Sequence, residues 1–247
     1  MRLDVWFSPL GLTPGEVQGR TVLVIDILRA GTAMCAALHN GARAVLPVAS
    51  TEEALRLAQT LGTADVLLAG ERNCLRIDGF ALGNSPLEMT PEIVRNKNII
   101  MTTTNGTPAL IATQGAQAVY PAVAANLTRA GRRAAEVWER DHDLLILCAG
   151  RENRFSLDDA YCAGRLAVEA LGGHKRRKGL NDAALASLDL VRRYGTRFER
   201  PLRFSSGGQR LESLGFGADI EESSRVDAYP ALLTYHERRV IASPVTP

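Results

Sequence analysis

Five short segments carry the side chains that could do chemistry. Thr102-Thr103-Thr104-Asn105-Gly106-Thr107-Pro108 follows the apolar run Asn98-Ile99-Ile100-Met101 and precedes Ala109-Leu110-Ile111-Ala112. Strand, hydroxyl-rich turn and helix start in that order aim free N–H groups and hydroxyls at an anion of phosphate size. Thr107 is the expected N-cap and Pro108 the first helical residue, so a capped helix alone also accounts for the motif. Asp26-Ile27-Leu28-Arg29 follows the apolar run Val22–Ile25. A carboxylate there needs a cation or hydrogen-bond donors. Arg29 could be its ion-pair partner; alternatively Asp26 serves a divalent metal and Arg29 an anionic ligand. Gly70-Glu71-Arg72-Asn73 poses the same choice at another strand end. Gly79-Phe80-Ala81-Leu82-Gly83-Asn84-Ser85-Pro86 has the composition of an ordered loop, which turn chemistry alone would explain.

The fifth segment runs from Cys148-Ala149-Gly150 to Ser156-Leu157-Asp158-Asp159. Adjacent acids near Asp26 and Glu71 would suit Mg²⁺, which prefers carboxylates, water and phosphate oxygens. Against this, Ser156 and Asp159 have capping-box spacing, and Asp158 would favour the helix dipole. Cys148 to Arg154 also has the Cys-x5-Arg spacing of a loop in which a thiolate attacks phosphorus. Leu147 and Arg151 stand where such loops commonly carry His and Gly, and a buried structural Cys148 is the plainer alternative.

The elements that must position these residues alternate. Expected strands are Met1–Phe7, Val22–Ile25, Ala44–Val48, Asp65–Ala69, Asn98–Met101, Ala118–Tyr120 and Leu144–Leu147. Expected helices cover Thr32–Leu38 and the segment capped by Ser50 and Glu53, with Ala54, Leu57, Ala58 and Leu61 on one face. Further helices cover Leu127–Trp138 capped by Asn126, Ser156 to Gly172-Gly173, and Asp182–Tyr194 ended by Gly195. Ser205-Ser206-Gly207-Gly208 reads as a turn, and Leu232–Ile241 as a hairpin around His236-Glu237. The pattern predicts a three-layer α/β/α fold with a mostly parallel sheet and ligands at the carboxyl ends of its strands. One domain over 1–247 is expected, with a subdivision near 172–180, where His174-Lys175-Arg176-Arg177-Lys178 reads as a solvated linker.

Composition narrows the partners. The chain has 247 residues, 46% hydrophobic and 23% charged, with a net charge of +2. That charge is too small to imply nucleic acid or an anionic membrane surface, and no apolar segment is long enough to span a bilayer. Cys35, Cys74, Cys148 and Cys162 lack metal-ligand spacing, which points to free thiols in a cytoplasmic protein.

Together the segments resemble the 2-phosphosulfolactate phosphatase family. The resemblance rests on Val24-Ile25-Asp26-Ile27-Leu28-Arg29-Ala30, Gly70-Glu71-Arg72, Gly79-Phe80-Ala81-Leu82-Gly83-Asn84-Ser85-Pro86, Thr103-Thr104-Asn105-Gly106-Thr107, Cys148-Ala149-Gly150 and Phe155-Ser156-Leu157-Asp158-Asp159. It weakens after Gly173. It implies an α/β homo-oligomer, taken as a dimer, that uses Mg²⁺ to hydrolyse (2R)-O-phospho-3-sulfolactate to (2R)-3-sulfolactate and phosphate, a step toward coenzyme M. On that basis Asp26, Glu71 and Asp159 would gather Mg²⁺, and Arg29 and Arg72 would clamp anionic oxygens. Thr104, Asn105, Gly106 and Thr107 would cradle the phosphate or the sulfonate, and Asn84 and Ser85 would complete the pocket. The catalytic group would be Asp26, Arg29 and Asn105. The chain departs from the family pattern at Cys74, Ala81, Asp158 and Gly207, where Gly, an acid, Glu and His are expected. A phosphatase for another small phospho-acid and a non-catalytic phosphoanion-binding protein are the competing readings.

Overall fold

The apolar runs at Thr21–Ile25 and Leu144–Cys148 are buried along their full length and pair in parallel, Ile25 opposite Cys148. Continuous burial of this kind is what strands covered on both faces show. The computed structural model describes residues 2–62, 65–140, 142–172 and 178–243. Its strands are Leu3–Trp6 (β1), Thr21–Ile25 (β2), Ala44–Pro47 (β3), Val66–Arg72 (β4), Leu75–Arg76 (β5), Asn98–Thr102 (β6), Ala118–Pro121 (β7), Leu144–Cys148 (β8), Leu233–His236 (β9) and Arg239–Ala242 (β10). They form two sheets. The order β1-β8-β2-β7 is parallel throughout. The order β5-β4-β6-β3-β10-β9 has a parallel centre, β4-β6-β3, and antiparallel flanks.

The α/β alternation and mostly parallel pairing are as the sequence predicts, but the strands divide between two sheets. Helix Ala30–His39 is enclosed along all but its last residue. Every residue from Ala30 to Leu38 is buried, and the helix packs on β3 and β10. Such a helix has protein on all sides. It is built largely of Ala, Gly, Thr and Cys, small enough to let neighbours approach closely. One cluster of buried side chains runs from Leu3 to Val240 and draws on both sheets.

The helix termini differ in detail from expectation. Ser50 caps Thr51–Leu61 through Glu53 N–H (3.2 Å), while Glu53 accepts from Ala49 N–H (2.8 Å). Asn126 precedes Leu127–Glu139 but does not cap it with its side chain. It accepts from Val123 N–H and donates to the carbonyls of Pro121 and Ala231. Leu157–Leu171 ends at Gly172 in the left-handed region, and Asp182–Tyr194 is capped by Asn181.

Ser205-Ser206-Gly207-Gly208 is not a turn. Ser205 caps helix Ser206–Ser213 by accepting from Gly208 N–H (2.9 Å). The glycines here serve close packing, since a Cβ on Gly208 would lie 2.0 Å from Leu202 O. The β9–β10 hairpin forms as expected but turns at Glu237-Arg238, both at positive φ, one residue later than the pattern suggested. The basic run His174–Arg177 and most of the expected subdivision near 172–180 lie outside the described residues. Among the described residues no helix is long and apolar enough to cross a membrane.

Candidate active site

Four strand ends supply one cleft. It is lined by Asp26 after β2, Glu71 on β4, Asn105 after β6, and Gly150 and Arg151 after β8. Cys74, Asn84, Asp158, Asp159 and Gly207 complete much of its wall. The carboxyl edges of the two sheets meet here, the place where open α/β sheets bind ligands.

Asp26 leaves β2 directly into a tight turn whose carbonyl accepts from Gly31 N–H (2.7 Å), and its carboxylate accepts from Ala30 N–H. The carboxylate lies against Gly106, where a Cβ would come within 2.4 Å of Oδ2. That is why the turn after β6 carries glycine at this position. Burial, then the nearby charges of Glu71 and Asp158, push Asp26 up to about 7.

Arg29 does not pair with Asp26. Its Nη1 donates to Asp219 Oδ2 (2.6 Å), its Nη2 to the Cys74 carbonyl (2.6 Å), and its Cζ lies 4.6 Å from the Phe216 ring centre. The other Asp219 oxygen accepts from Ser85 Oγ (2.6 Å). Ser85 therefore braces the site through Asp219 and caps the short turn Pro86–Glu88. Asp219, 2% exposed, is the residue the sequence reading missed. It lies in Gly217–Ser224, whose acids look like ordinary helix-surface charge.

The Thr/Asn/Gly turn is only partly an open cradle. Thr103 and Thr107 bond each other reciprocally: Thr103 N–H donates to Thr107 Oγ1 (3.0 Å) and Thr107 N–H to Thr103 Oγ1 (3.1 Å). The Thr107 hydroxyl donates back to the Thr103 carbonyl. Thr107 is thus inside the helix Gly106–Ile111, and Asn105 stands at its N-cap without a side-chain cap bond. Thr104 N–H donates to Glu71 Oε1 (2.8 Å), and Asn105 Oδ1 accepts from Glu152 N–H (3.0 Å). Of the four turn residues expected to hold an anion, Asn105 lines the cleft; Thr104 is exposed outside the lining, Gly106 lies against the Asp26 carboxylate, and Thr107 is buried in the helix.

Glu71 and Arg72 point to opposite sides of β4, as strand alternation requires. Glu71 faces the cleft, its oxygens accepting from the N–H groups of Thr104 and Cys74. Arg72 is outside the cleft lining and is held by its neighbour's carbonyl and by Thr102 Oγ1.

On the β8 side, Asp159 accepts from Ile27 N–H (3.0 Å) and Gly150 N–H (3.0 Å), tying the loops after β2 and β8 together. It is not bonded as a capping-box acid, because Ser156 donates instead to Asp158. Burial raises both carboxyls, Asp159 well above the usual range with the help of Asp158 and Asp26. Cys148 is buried in β8, away from the cleft lining, and burial raises its thiol well above normal. A nucleophilic thiolate needs the opposite shift. Arg154 is exposed, and the loop folds back on itself through the Arg151–Arg154 bridge. The cysteine-phosphatase arrangement is absent.

The donor set fits a hard divalent cation in its chemistry. Asp26, Glu71, Asp158 and Asp159 crowd buried negative charge together, and Asn84 Oδ1, also at the cleft, is buried without a hydrogen-bond partner. Oxygen ligands of this kind suit Mg²⁺. Among the described residues no three acidic, Cys or His side chains converge closely enough to hold an ion as placed. The trio Asp26, Glu71 and Asp159 does not converge because Glu71 and Asp159 turn both oxygens to backbone N–H groups.

Fold and cleft define an α/β protein with an acidic, guanidinium-bordered pocket at the carboxyl edges of two sheets. The chain belongs to the 2-phosphosulpholactate phosphatase family, a family of phosphoric monoester hydrolases, whose model matches residues 7–238. It is 40% identical over 226 residues to a Symbiobacterium thermophilum protein, covering 92% of this chain and 95% of that one. A Caldanaerobacter subterraneus subsp. tengcongensis protein is 37% identical, with 93% of each chain covered, and one from Thermotoga maritima is 38% identical, with 94% of this chain and 95% of the other covered. All three carry the name "Probable 2-phosphosulfolactate phosphatase".

Proposed function

We propose that this chain is a Mg²⁺-dependent phosphatase that hydrolyses (2R)-O-phospho-3-sulfolactate to (2R)-3-sulfolactate and phosphate, a step of the coenzyme M type. The observation that carries the reading is similarity to relatives of that name over more than nine-tenths of both chains. The cleft adds chemical support. Its free volume is about 40 Å³, room for roughly three water molecules at about 10–15 Å³ each. Four free cysteines suit a reducing cytoplasm. A homodimer is part of the same reading.

Asp26 and Asp158 would hold Mg²⁺, with Glu71, Asp159 and Asn84 around them. The bound ion would neutralise phosphoryl oxygens and make a bound water more acidic. Arg29, fixed by Asp219, the Cys74 carbonyl and the Phe216 ring, keeps unspent N–H donors for an anionic oxygen. Fixed donors stabilise developing charge without reorganising during reaction. Asn105, anchored through Glu152 N–H, borders the same space. Burial raises Asp26 to about 7 in the free protein, and binding a cation would favour its ionised form.

Phosphate release from a panel of small phosphorylated acids, with Mg²⁺ and after chelation, tests the reading. Mg²⁺-dependent release fastest on the sulfolactate ester is expected. Release insensitive to chelator would remove the metal assignment, and a faster substrate of another class would replace the substrate.

A further inference from the structure

The cleft has a floor and a rim. On the floor Asp26, Glu71, Asp158 and Asp159 are 9%, 7%, 3% and 3% exposed. Half-buried Cys74, Asn105 and Arg151 stand higher. The cleft's free volume is about 40 Å³. The rest of a larger ligand must extend past the rim.

Arg29 and Arg151 are the cations lining the cleft among the described residues. Arg29 is committed to Asp219 and Cys74. Arg151 differs: its backbone is pinned, and its charge acts on Asp158, lowering a carboxyl that burial raises. Its N–H donates to Arg154 O (3.0 Å) and its carbonyl accepts from Arg154 N–H (2.9 Å). Gly150, just before it, is tied to Asp159. Its guanidinium makes no hydrogen bond or ion pair among the described residues. It reaches toward helix Ser206–Ser213: a Cβ on Gly207 would stand 3.3 Å from Asp158 Oδ2, 3.6 Å from Ser205 Oγ and 3.8 Å from Arg151 Nη1. Gly207 has no side chain to fill that space. Arg210 follows Gly207 by three positions, a spacing that puts both on one helix face. Arg210 is exposed, and its side chain makes no hydrogen bond or ion pair among the described residues. The charges of Arg29, Arg151 and Arg210 all act on the Cys74 thiol.

We infer that Arg151, with Arg210 beside it, receives the non-reacting anionic group of the substrate, a sulfonate or carboxylate, across the space left open by Gly207. The inference rests on the cleft being the phosphatase site proposed above. A guanidinium fork meets two oxygens of either group at once. The cleft would then select phosphate esters bearing a second strong-acid group about one substrate length from phosphorus. Arg29, 4% exposed, is left to the phosphoryl oxygens.

Arg151→Ala, Arg151→Lys and Arg210→Ala separate the roles. Kinetics would use (2R)-O-phospho-3-sulfolactate, O-phospholactate without the sulfonate, an O-phosphorylated hydroxyalkanesulfonate without the carboxylate, and p-nitrophenyl phosphate. Arg151→Ala is expected to raise KM about 10–100-fold on the sulfolactate ester with kcat little changed. The KM rise on p-nitrophenyl phosphate should be at least tenfold smaller, and Arg151→Lys should recover part of the loss. The analogue that keeps the sensitivity identifies the group bound. Equal loss on all four esters, or no change on any, would overturn the inference. If the wild type hydrolyses none of them, the phosphatase reading fails, and calorimetric titration with 3-sulfolactate decides the inference alone. Weaker binding to Arg151→Ala supports it; equal binding, or none to the wild type, overturns it.

Discussion

At the residue scale the site depends on what surrounds Asp26. Gly106 leaves room for its carboxylate, so Gly106→Ala would put a methyl 2.4 Å from Oδ2 and displace it. Displacements of about 1 Å at a reacting centre cost on the order of 100-fold; steady-state assays should show at least that loss in kcat/KM. Asp26 also links activity to stability. Its folded pKa, about 7, lies above its ordinary 3.8. Its stabilising contribution is therefore complete below about 3.8 and is lost as pH climbs through about 7. Asp26→Asn removes that cost. Melting of the metal-free variant should exceed wild type by about 1–2 kcal/mol at pH 8, some 2–8 °C, and the advantage should shrink toward pH 5. A larger advantage at pH 5 would reverse the sign argument. Asp26 was legible because an acid directly after a buried strand is costly and so conspicuous. Asp219 was not, because nothing in Gly-Ala-Asp-Ile-Glu-Glu shows that one acid turns inward to Arg29. Arg72 looked equivalent to Arg29 by composition, but strand alternation sends it behind the sheet.

At the element scale the strand ends were the readable part. Continuous apolar runs located β2, β6 and β8 to within a residue or so, and the polar clusters after them reached one cleft. Caps were harder to read. The same Ser-x-x-acid spacing gives a working cap at Ser50, with Glu53 reaching Ala49 N–H rather than that of the cap, yet at Ser156 and Asp159 the acid is drawn to the backbone of two other loops. Ser205-Gly208 read as a turn because glycine usually marks one, whereas close approach to Leu202 demanded it. Helix Ser206–Ser213 brings Gly207 and Leu211 to the cleft, so its cap matters to the site. Ser205→Ala should cost about 1 kcal/mol, near 2–4 °C for a chain of this size. Thermal melting checks the loss, and an unchanged Tm would mean that the cap contributes nothing.

At the scale of the whole molecule the cleft is a joint. β2 and β8 come from one sheet, β4 and β6 from the other, and the carboxylates they deliver repel one another until a cation or protons intervene. The α/β class and the mostly parallel pairing followed from the alternation of segments. The division into two sheets did not, because local pattern does not say which strands pair. The C-terminal helices border the cleft with Gly207 and Leu211 and hold Arg29 through Asp219, and the resemblance was weakest in that part of the chain. The central claim is that this joint hydrolyses a phosphate ester through Asp26. Its most direct test is phosphate release from (2R)-O-phospho-3-sulfolactate by wild type and Asp26→Asn, side by side in Mg²⁺. Release by the wild type with a loss of about 100–1,000-fold in the folded variant is the predicted result. No release by the wild type, or equal release by both, would contradict it.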